Sequence, residues 1–445
     1  MTEPASPTAS VPPVDRAAWR ALVERDLKGR PYEEALVTRL LEGIELAPLY
    51  TEADGDASDA RSGVPGLGSW TRGACPLGNT EGGWTVAVDA PPGAPQEVSA
   101  ALQDDLAHGV SGINLALPED EPSSRALLDG LLGGAPDAAS LHLAPSADPA
   151  ARGEQLFAAW ARAGTPAAAR KGNLGGDPFA LLCDGVELPP SEVVWERLAA
   201  ACRLAGERPG VRALELRADR YHEAGAHAAQ ELGLGIAAGI AALRGLDAAG
   251  LSPLHAARQL GFAFALDPDV FLGIAKLRAA RRLWARVLSV LDAQGAGPAP
   301  LHARVGARCL TAYHPQGNLL RSTLATFAGA VGGAERITVL PHDAALAQPE
   351  AASRRLARNT QLVLLHEAHL HRVIDPAGGS YYVEVLTDRL SERSWEVVRA
   401  VEGQGGLRRA LERGWVAERL AETRQRSSER VAHRVQAIVG VSVFP

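Results

Sequence analysis

Residues 211–266 read VRALELRADRYHEAGAHAAQELGLGIAAGIAALRGLDAAGLSPLHAARQLGFAFAL. Val211–Leu216 and Phe262–Leu266 are short, apolar and β-compatible, and the Ala/Leu-rich stretch Ala226–Leu243 between them has helical periodicity. A strand, a helix and a second strand of this kind form a unit whose strands run parallel and are buried on both faces. The alternation continues in both directions. The predicted strands are Trp84–Val88, Ile113–Leu117, Leu141–Leu143, Lys171–Leu174, Val211–Leu216, Phe262–Leu266, Leu301–Val305 and Ile337–Leu340. Eight such units predict an α/β fold, a (β/α)8 TIM barrel, with a doubly wound open sheet as the structural alternative. The weakest strand is the fourth, because its GNLGG is poor strand material.

Ahead of the barrel, VDRAAWRALVERDLK (14–28) places Trp19, Leu22, Val23 and Leu27 near helical spacing, with Asp15 as N-cap. A second helical pattern runs from Tyr32 to Leu41, and residues 49–68 form a polar linker punctuated by Gly and Pro. The domain reading is therefore an N-terminal helical arm and linker over residues 1–60 and a barrel over residues 61–445. The 445 residues are 46% hydrophobic and carry a net charge of −7, which excludes a disordered chain. No apolar run is long enough to span a membrane, and the start lacks the features of a secretory signal. The four cysteines are scattered, so no disulfide framework is expected and a cytoplasmic location fits. Only three of the 45 basic residues are lysines, and no long basic run exists, so nucleic acid is not an expected partner.

In a barrel, chemistry gathers at the C-terminal ends of the strands. The polar residues predicted there are Asp89, Asp177, Tyr221-His222-Glu223, Asp267, Arg304 and Pro341-His342-Asp343. His222 follows VRALEL and is placed to donate a hydrogen bond to a substrate carbonyl; the alternative is a structural histidine ordering the turn before the next helix. His366-Glu367-Ala368-His369 lacks the H-E-x-x-H spacing that puts two ligands on one helical face, and with His371 it reads as a solvated or interface group. Gly233, Gly235 and Gly239 lie within a helical pattern and read as close packing, not a dinucleotide loop.

The C-terminal third carries Ala357-Arg-Asn-Thr-Gln361, Val373-Ile-Asp-Pro376, Gly379-Ser-Tyr-Tyr-Val-Glu384 and Leu386-Thr387. Further upstream are Ala275-Lys-Leu-Arg-Ala-Ala-Arg281, Tyr221-His222-x-Ala-Gly-Ala226, and Pro65-Gly66 leading to Trp70-Thr-Arg-Gly73. These collinear motifs, over residues 14–445, resemble the acyl-CoA mutase family typified by methylmalonyl-CoA mutase. The resemblance implies a barrel that threads CoA along its axis, beside a flavodoxin-like cobalamin domain. It implies adenosylcobalamin-dependent radical isomerisation of methylmalonyl-CoA and succinyl-CoA, in which the cofactor supplies the radical chemistry. It also implies, for bacterial heterodimers, one catalytic chain and one degenerate chain.

Several departures from the family's catalytic pattern point to the degenerate type. The sequence stops at Ile438–Pro445 and no D-x-H-x-x-G cobalt-ligand motif is present, so no flavodoxin-like cobalamin domain is expected; Asp219-x-x-His222-x-x-Gly225 has one residue too many. Ala74–Gly83 lacks the family's aromatic and arginine-rich substrate grip. Asn173-Leu-Gly-Gly-Asp177 stands where T-x-Q-N-D is expected, Arg304 replaces a glutamine, and Ser191-Glu-Val-Val194 stands in place of a catalytic arginine. The expectation is a small (β) subunit that is non-catalytic and structural. It binds neither cofactor nor metal itself, and its partner is a related large catalytic chain holding adenosylcobalamin. If the axis is filled, apolar side chains are expected to fill it. The alternative is the catalytic barrel of a split mutase working with a separate cobalamin-binding chain; only under that reading do His222 and Tyr221 become catalytic candidates.

Overall fold

The computed structural model describes residues 15–55, 62–134, 139–346 and 348–444. The first helix, α1, is Arg16–Asp26, and the Asp15 carboxylate accepts from the Ala18 amide at 2.7 Å, so the expected N-cap is in place. None of its residues is buried. The second helix predicted in this region, Tyr32–Leu41, is a correction: helix covers only Tyr32–Ala35. Thr38–Arg39 instead pairs antiparallel with Glu45–Leu46. The β-branched Thr38 and a left-handed Gly43 favour this small hairpin over a continued helix. The tip of the hairpin anchors on the barrel, with Ile44 buried and Glu42 accepting from the Ala228 amide at 2.9 Å.

The barrel follows as β1 (Thr85–Asp89), α2 (Pro95–Ala107), β2 (Gly112–Leu115), α3 (Glu121–Gly134), β3 (Ser140–Leu143), α4 (Pro149–Arg162), β4 (Gly172–Gly176), α5 (Ser191–Gly206), β5 (Val211–Arg217), α6 (Ala228–Ala248), β6 (Leu260–Leu266), α7 (Val270–Val290), β7 (Leu301–Val305), α8 (Gly317–Val331) and β8 (Arg336–Thr338). Three long helices close the described chain: α9 (Ala351–His366), α10 (Tyr381–Gly403) and α11 (Trp415–Ala432). Every barrel pairing is parallel, and β8 bonds to both β7 and β1, so the sheet closes. The eight predicted strands are all present with boundaries moved by a few residues, and the open-sheet alternative falls. Among the described residues, no helix is long and apolar enough to cross a membrane.

Glycine shapes the two places where the backbone comes closest. At β4, Gly172 has φ +144°, and a β-carbon there would lie 1.6 Å from the Leu141 carbonyl oxygen. Gly175, at φ +74°, would meet the Ala144 carbonyl oxygen at 2.2 Å, and the register with β5 shifts between Asn173 and Gly176. The unpromising GNLGG is therefore a strand that only glycine lets approach β3. On α6, a β-carbon at Gly233 would meet the Ser394 carbonyl of α10 at 2.6 Å, and one at Gly239 would meet the Trp284 ring of α7 at 2.6 Å. The glycine series is thus the close-packing surface expected of it.

Outside the barrel, Arg278 is fully buried and ties three segments together. It donates to Asp375, to Glu384 at 2.5 Å and to Ser62 at 3.3 Å. Ser62 also donates to Glu384 at 2.5 Å. This cluster fixes the segment before β1 against α7 and α10.

Gly172→Ala should destabilise the chain by roughly 2–4 kcal/mol, because backbone must move to admit the methyl group. Gly133→Ala, with open space around its added carbon, should be neutral or stabilise by up to about 1 kcal/mol. Urea denaturation of the two variants measures the difference.

Candidate functional site

The interior of the barrel is charged. Arg336 of β8 reaches across it to donate to Glu215 of β5, to His142 of β3, and to His302 Nδ1 of β7 at 2.6 Å. His302 Nδ1 also lies 3.1 Å from the second Glu215 oxygen, and its Nε2 lies 2.8 Å from the Thr338 hydroxyl. Asn173 donates to His142 at 3.0 Å and to Glu215 at 3.2 Å. Nearer the C-terminal mouth, Arg304 makes a bidentate pair with Asp89 at 3.0 and 2.6 Å, and Asn114 joins Asp89 to Thr338 at 2.8 and 2.9 Å. Arg217 grips Asp219 through two further bonds at 2.8 and 2.6 Å, and Arg304 Nε lies 3.3 Å from the same carboxylate. Side chains from seven of the eight strands therefore meet across the axis. The axis is filled, and the expectation of an apolar filling is overturned: small residues in register with the charged ones, Gly261, Ala263, Ala265 and Ala87, supply room for long polar side chains.

Electrostatics follow from this geometry. Burial raises the Glu215 carboxyl, but the Arg336 guanidinium outweighs it and leaves Glu215 well below the usual range. Burial, reinforced by Arg336, pushes His302 down to about 3 and holds His142 well below its ordinary value. Both imidazoles are neutral at pH 7, which lets each accept from a guanidinium.

The strand-end candidates separate by role. Asp89, Arg304 and Asp219 belong to the charged filling. Asp177 caps the short helix Pro178–Cys183, accepting from Phe179 at 3.0 Å, Ala180 at 3.1 Å and Arg217 at 2.6 Å, while burial raises its carboxyl to about 6. Glu223 accepts from the Ala307 and Arg308 amides at 2.8 and 3.2 Å. Asp267 accepts from the Asp269 amide at 3.1 Å, and Asp343 accepts from Ser353 at 2.6 Å. His342 lies beside Asn318, which donates to its carbonyl at 2.8 Å.

Tyr221 and His222 are both buried, in the short helix Asp219–Glu223. His222 Nδ1 is 3.7 Å from Glu231, whose other neighbours are Lys276 at 2.6 Å and the Ala265 amide at 2.6 Å. Burial holds His222 well below its ordinary pKa, helped by Lys276 and Arg308, so it is neutral. Its Nε2 is buried with no hydrogen-bond partner among the described residues. His366 is exposed, the rings of His369 and His371 stand 6.5 Å apart, and no described cluster of His, Cys, Asp or Glu suits a metal ion.

Glu215, Arg336, His142 and His302 were not among the sequence candidates. The signal for them was present: ionisable residues in strands otherwise read as buried on both faces, at positions a barrel turns inward.

A family model described as methylmalonyl-CoA mutase matches residues 39–127 and 154–445. The chain belongs to the methylmalonyl-CoA mutase family. It is 41% identical to a methylmalonyl-CoA mutase small subunit of Streptomyces virginiae, over 98% of this chain and 71% of that protein. It is 34% identical to the small subunit of Propionibacterium freudenreichii subsp. shermanii, over 98% of this chain and 69% of that protein. A protein named simply methylmalonyl-CoA mutase, from Cereibacter sphaeroides, is 29% identical over 97% of this chain and 64% of its own length. Within the mutase family the identity is therefore higher to these small subunits than to that mutase.

Two outcomes follow from the filling. Arg336→Met strands a buried Glu215 without its main counter-ion and should cost about 3–5 kcal/mol by urea denaturation. The second concerns pH. The unfolded chain protonates histidine near pH 6.5, while folded His302 resists until about pH 3. Its contribution is intact above pH 6.5 and is lost as pH falls below it, at up to about 1.4 kcal/mol per pH unit. Glu215 acts in the same sense only below the unfolded carboxyl value of about 4.3. Between pH 6.5 and 4.5, roughly the window these values define, stability of His302→Gln should fall less steeply than wild type by up to one proton. An equal slope would show that His302 titrates alike in both states.

Proposed function

We propose that this chain is a non-catalytic small subunit of a methylmalonyl-CoA-mutase-like heterodimer. Its role is to support a related large chain that carries out the isomerisation. The observation that carries the reading is the charged filling. The family threads its CoA substrate along the barrel axis, and here Arg336–Glu215 and Arg304–Asp89 occupy that line. A pantetheine arm would have to displace paired, desolvated charges and offer them nothing equivalent in return. The small-subunit names of the relatives at 41% and 34% identity support the same reading.

The residues present do not fit a cobalamin site. His222, in the nearest approach to the ligand motif, is enclosed by Glu231, Lys276 and Arg308 and lies within the barrel. Adenosylcobalamin is accordingly assigned to the large chain. The arm, residues 1–60, is assigned to the partner contact and residues 61–445 to the barrel. In the described part of the arm, α1 has no fully buried residue; Trp19 stands edge-on to Tyr32, and the exposed Leu22 with the half-buried Val23 and Leu27 is left for another surface. A cytoplasmic site of action fits this assembly.

Co-expression with the large chain tests the proposal. The two chains should co-elute, and removal of residues 1–28 should weaken the complex at least tenfold while the barrel stays folded. Separate elution at micromolar concentration would overturn it.

The unpartnered Nε2 of His222 favours a second reading, the catalytic barrel of a split mutase, with His222 donating to an acyl-CoA carbonyl and Tyr221 beside it. Mixing the chain with a cobalamin-binding chain, adenosylcobalamin and branched acyl-CoAs separates the two. No isomer is expected under the first reading. Turnover that His222→Ala abolishes would establish the second.

A further inference from the structure

At the opposite, N-terminal mouth of the barrel, below the charged filling, lies a cavity of 480 Å³. That is within the roughly 300–1,000 Å³ typical of small-molecule sites. Its walls come from the strand entries, where Arg212 is the second residue of β5 and Glu335 precedes β8, and from the segment around Leu370–Asp375. Two polar groups on these walls have no hydrogen-bond partner among the described residues. Arg212 is half-buried and makes neither hydrogen bond nor ion pair among the described residues. Nδ1 of His371, also on the lining, is buried and has no hydrogen-bond partner among the described residues.

Of the acids on the walls, Glu335 acts on Arg212 through its charge alone, with no hydrogen bond or ion pair between them. Asp375 is held by Arg278 and by Arg72 at 3.1 Å. Glu335 accepts from the Leu301 amide at 2.7 Å and has Arg281 at 3.9 Å. The Arg212 guanidinium therefore lines the cavity with its donors unanswered, and Glu335 is a charge neighbour that makes no hydrogen bond to it. An anion supplied from solution would satisfy it. The rest of the lining, including Val331, Leu370, Val373 and Ile374, is apolar.

We propose that this cavity is a binding site for a small monocarboxylate with an apolar tail, its carboxylate on Arg212 and His371 and its tail against Val331, Leu370 and Ile374. Glu335 sets the charge of the ligand: one unpaired cation and a neighbouring carboxylate suit a monoanion and repel a doubly charged phosphate. The inference is independent of the subunit's catalytic status, because the charged filling separates this mouth from the end of the barrel where chemistry gathers.

Calorimetric titration of the full chain with acetate, butyrate and hexanoate at pH 7 tests it, with inorganic phosphate as the control anion. Binding should be saturable and tighten by up to roughly fourfold for each added methylene that becomes buried. Arg212→Met, similar in length but uncharged, should abolish carboxylate binding while the unliganded chain is at least as stable as wild type. His371→Ala should weaken hexanoate severalfold. The proposal fails if wild type does not bind hexanoate at millimolar concentration, if Arg212→Met binds it equally well, or if phosphate binds more tightly.

Discussion

The pairing of Arg336 with Glu215 is the constraint around which the barrel is arranged. An arginine inside a β-barrel has no access to bulk water along most of its length, so its five donors must be answered from the surrounding strands. Glu215, His142 and His302 answer its two terminal nitrogens from three directions, while Nε has no partner among the described residues; Asn173 and Thr338 bond to the answering groups in turn. Such a set is an all-or-none device. Replacing the whole of it by apolar residues of like volume need not destabilise a protein, whereas removing one member leaves a buried charge exposed to its own desolvation cost. The filling therefore specifies the interior more strongly than it stabilises it.

Layers of branched apolar side chains are the usual filling of such barrels. Here the neighbouring strands carry only Gly261, Ala263, Ala265 and Ala87 in register with the long polar side chains. Volume explains the division: guanidinium and imidazole groups that cross the axis take the space that valine or isoleucine would otherwise fill from the neighbouring strand. The same volume is no longer available to a rod-shaped substrate.

Most of the architecture was legible because it is written in periodicity. Apolar runs such as Phe262–Leu266 and the helical stretch after His222 require only that strands alternate with helices, and Asp15 announces the start of α1 chemically. The failures have local causes. Tyr32–Leu41 keeps helical spacing of its apolar residues, yet a hairpin with a left-handed Gly43 takes its second half, because docking Ile44 and Glu42 on the barrel outweighs the weak preference of a short isolated helix. GNLGG looks unlike a strand because strand propensity records side-chain packing, and this strand needs the absence of side chains. The interior network was illegible for a different reason: Glu215, His142, His302 and Arg336 are far apart in sequence, and only barrel closure shows that they face one another.

Survival of the Tyr221-His222 pair in a barrel with a closed axis has a physical explanation that requires no chemistry. The turn between β5 and α6 is built on its backbone: the Ala226 amide donates to the Tyr221 carbonyl at 2.9 Å, the Gly225 amide donates to the His222 carbonyl at 2.9 Å, and Arg308 donates to that same carbonyl. Gly306, at the end of β7, leaves room for the imidazole, since a β-carbon there would stand 2.8 Å from His222 Nε2. His222 and Gly306 fit each other as surface and hollow, and a larger residue at 306 or a smaller one at 222 would disturb the joint between β5, α6 and β7. The fold packs on His222 whether or not the imidazole touches a substrate. Persistence of the pair is therefore weaker evidence of catalysis than the state of the axis beside it.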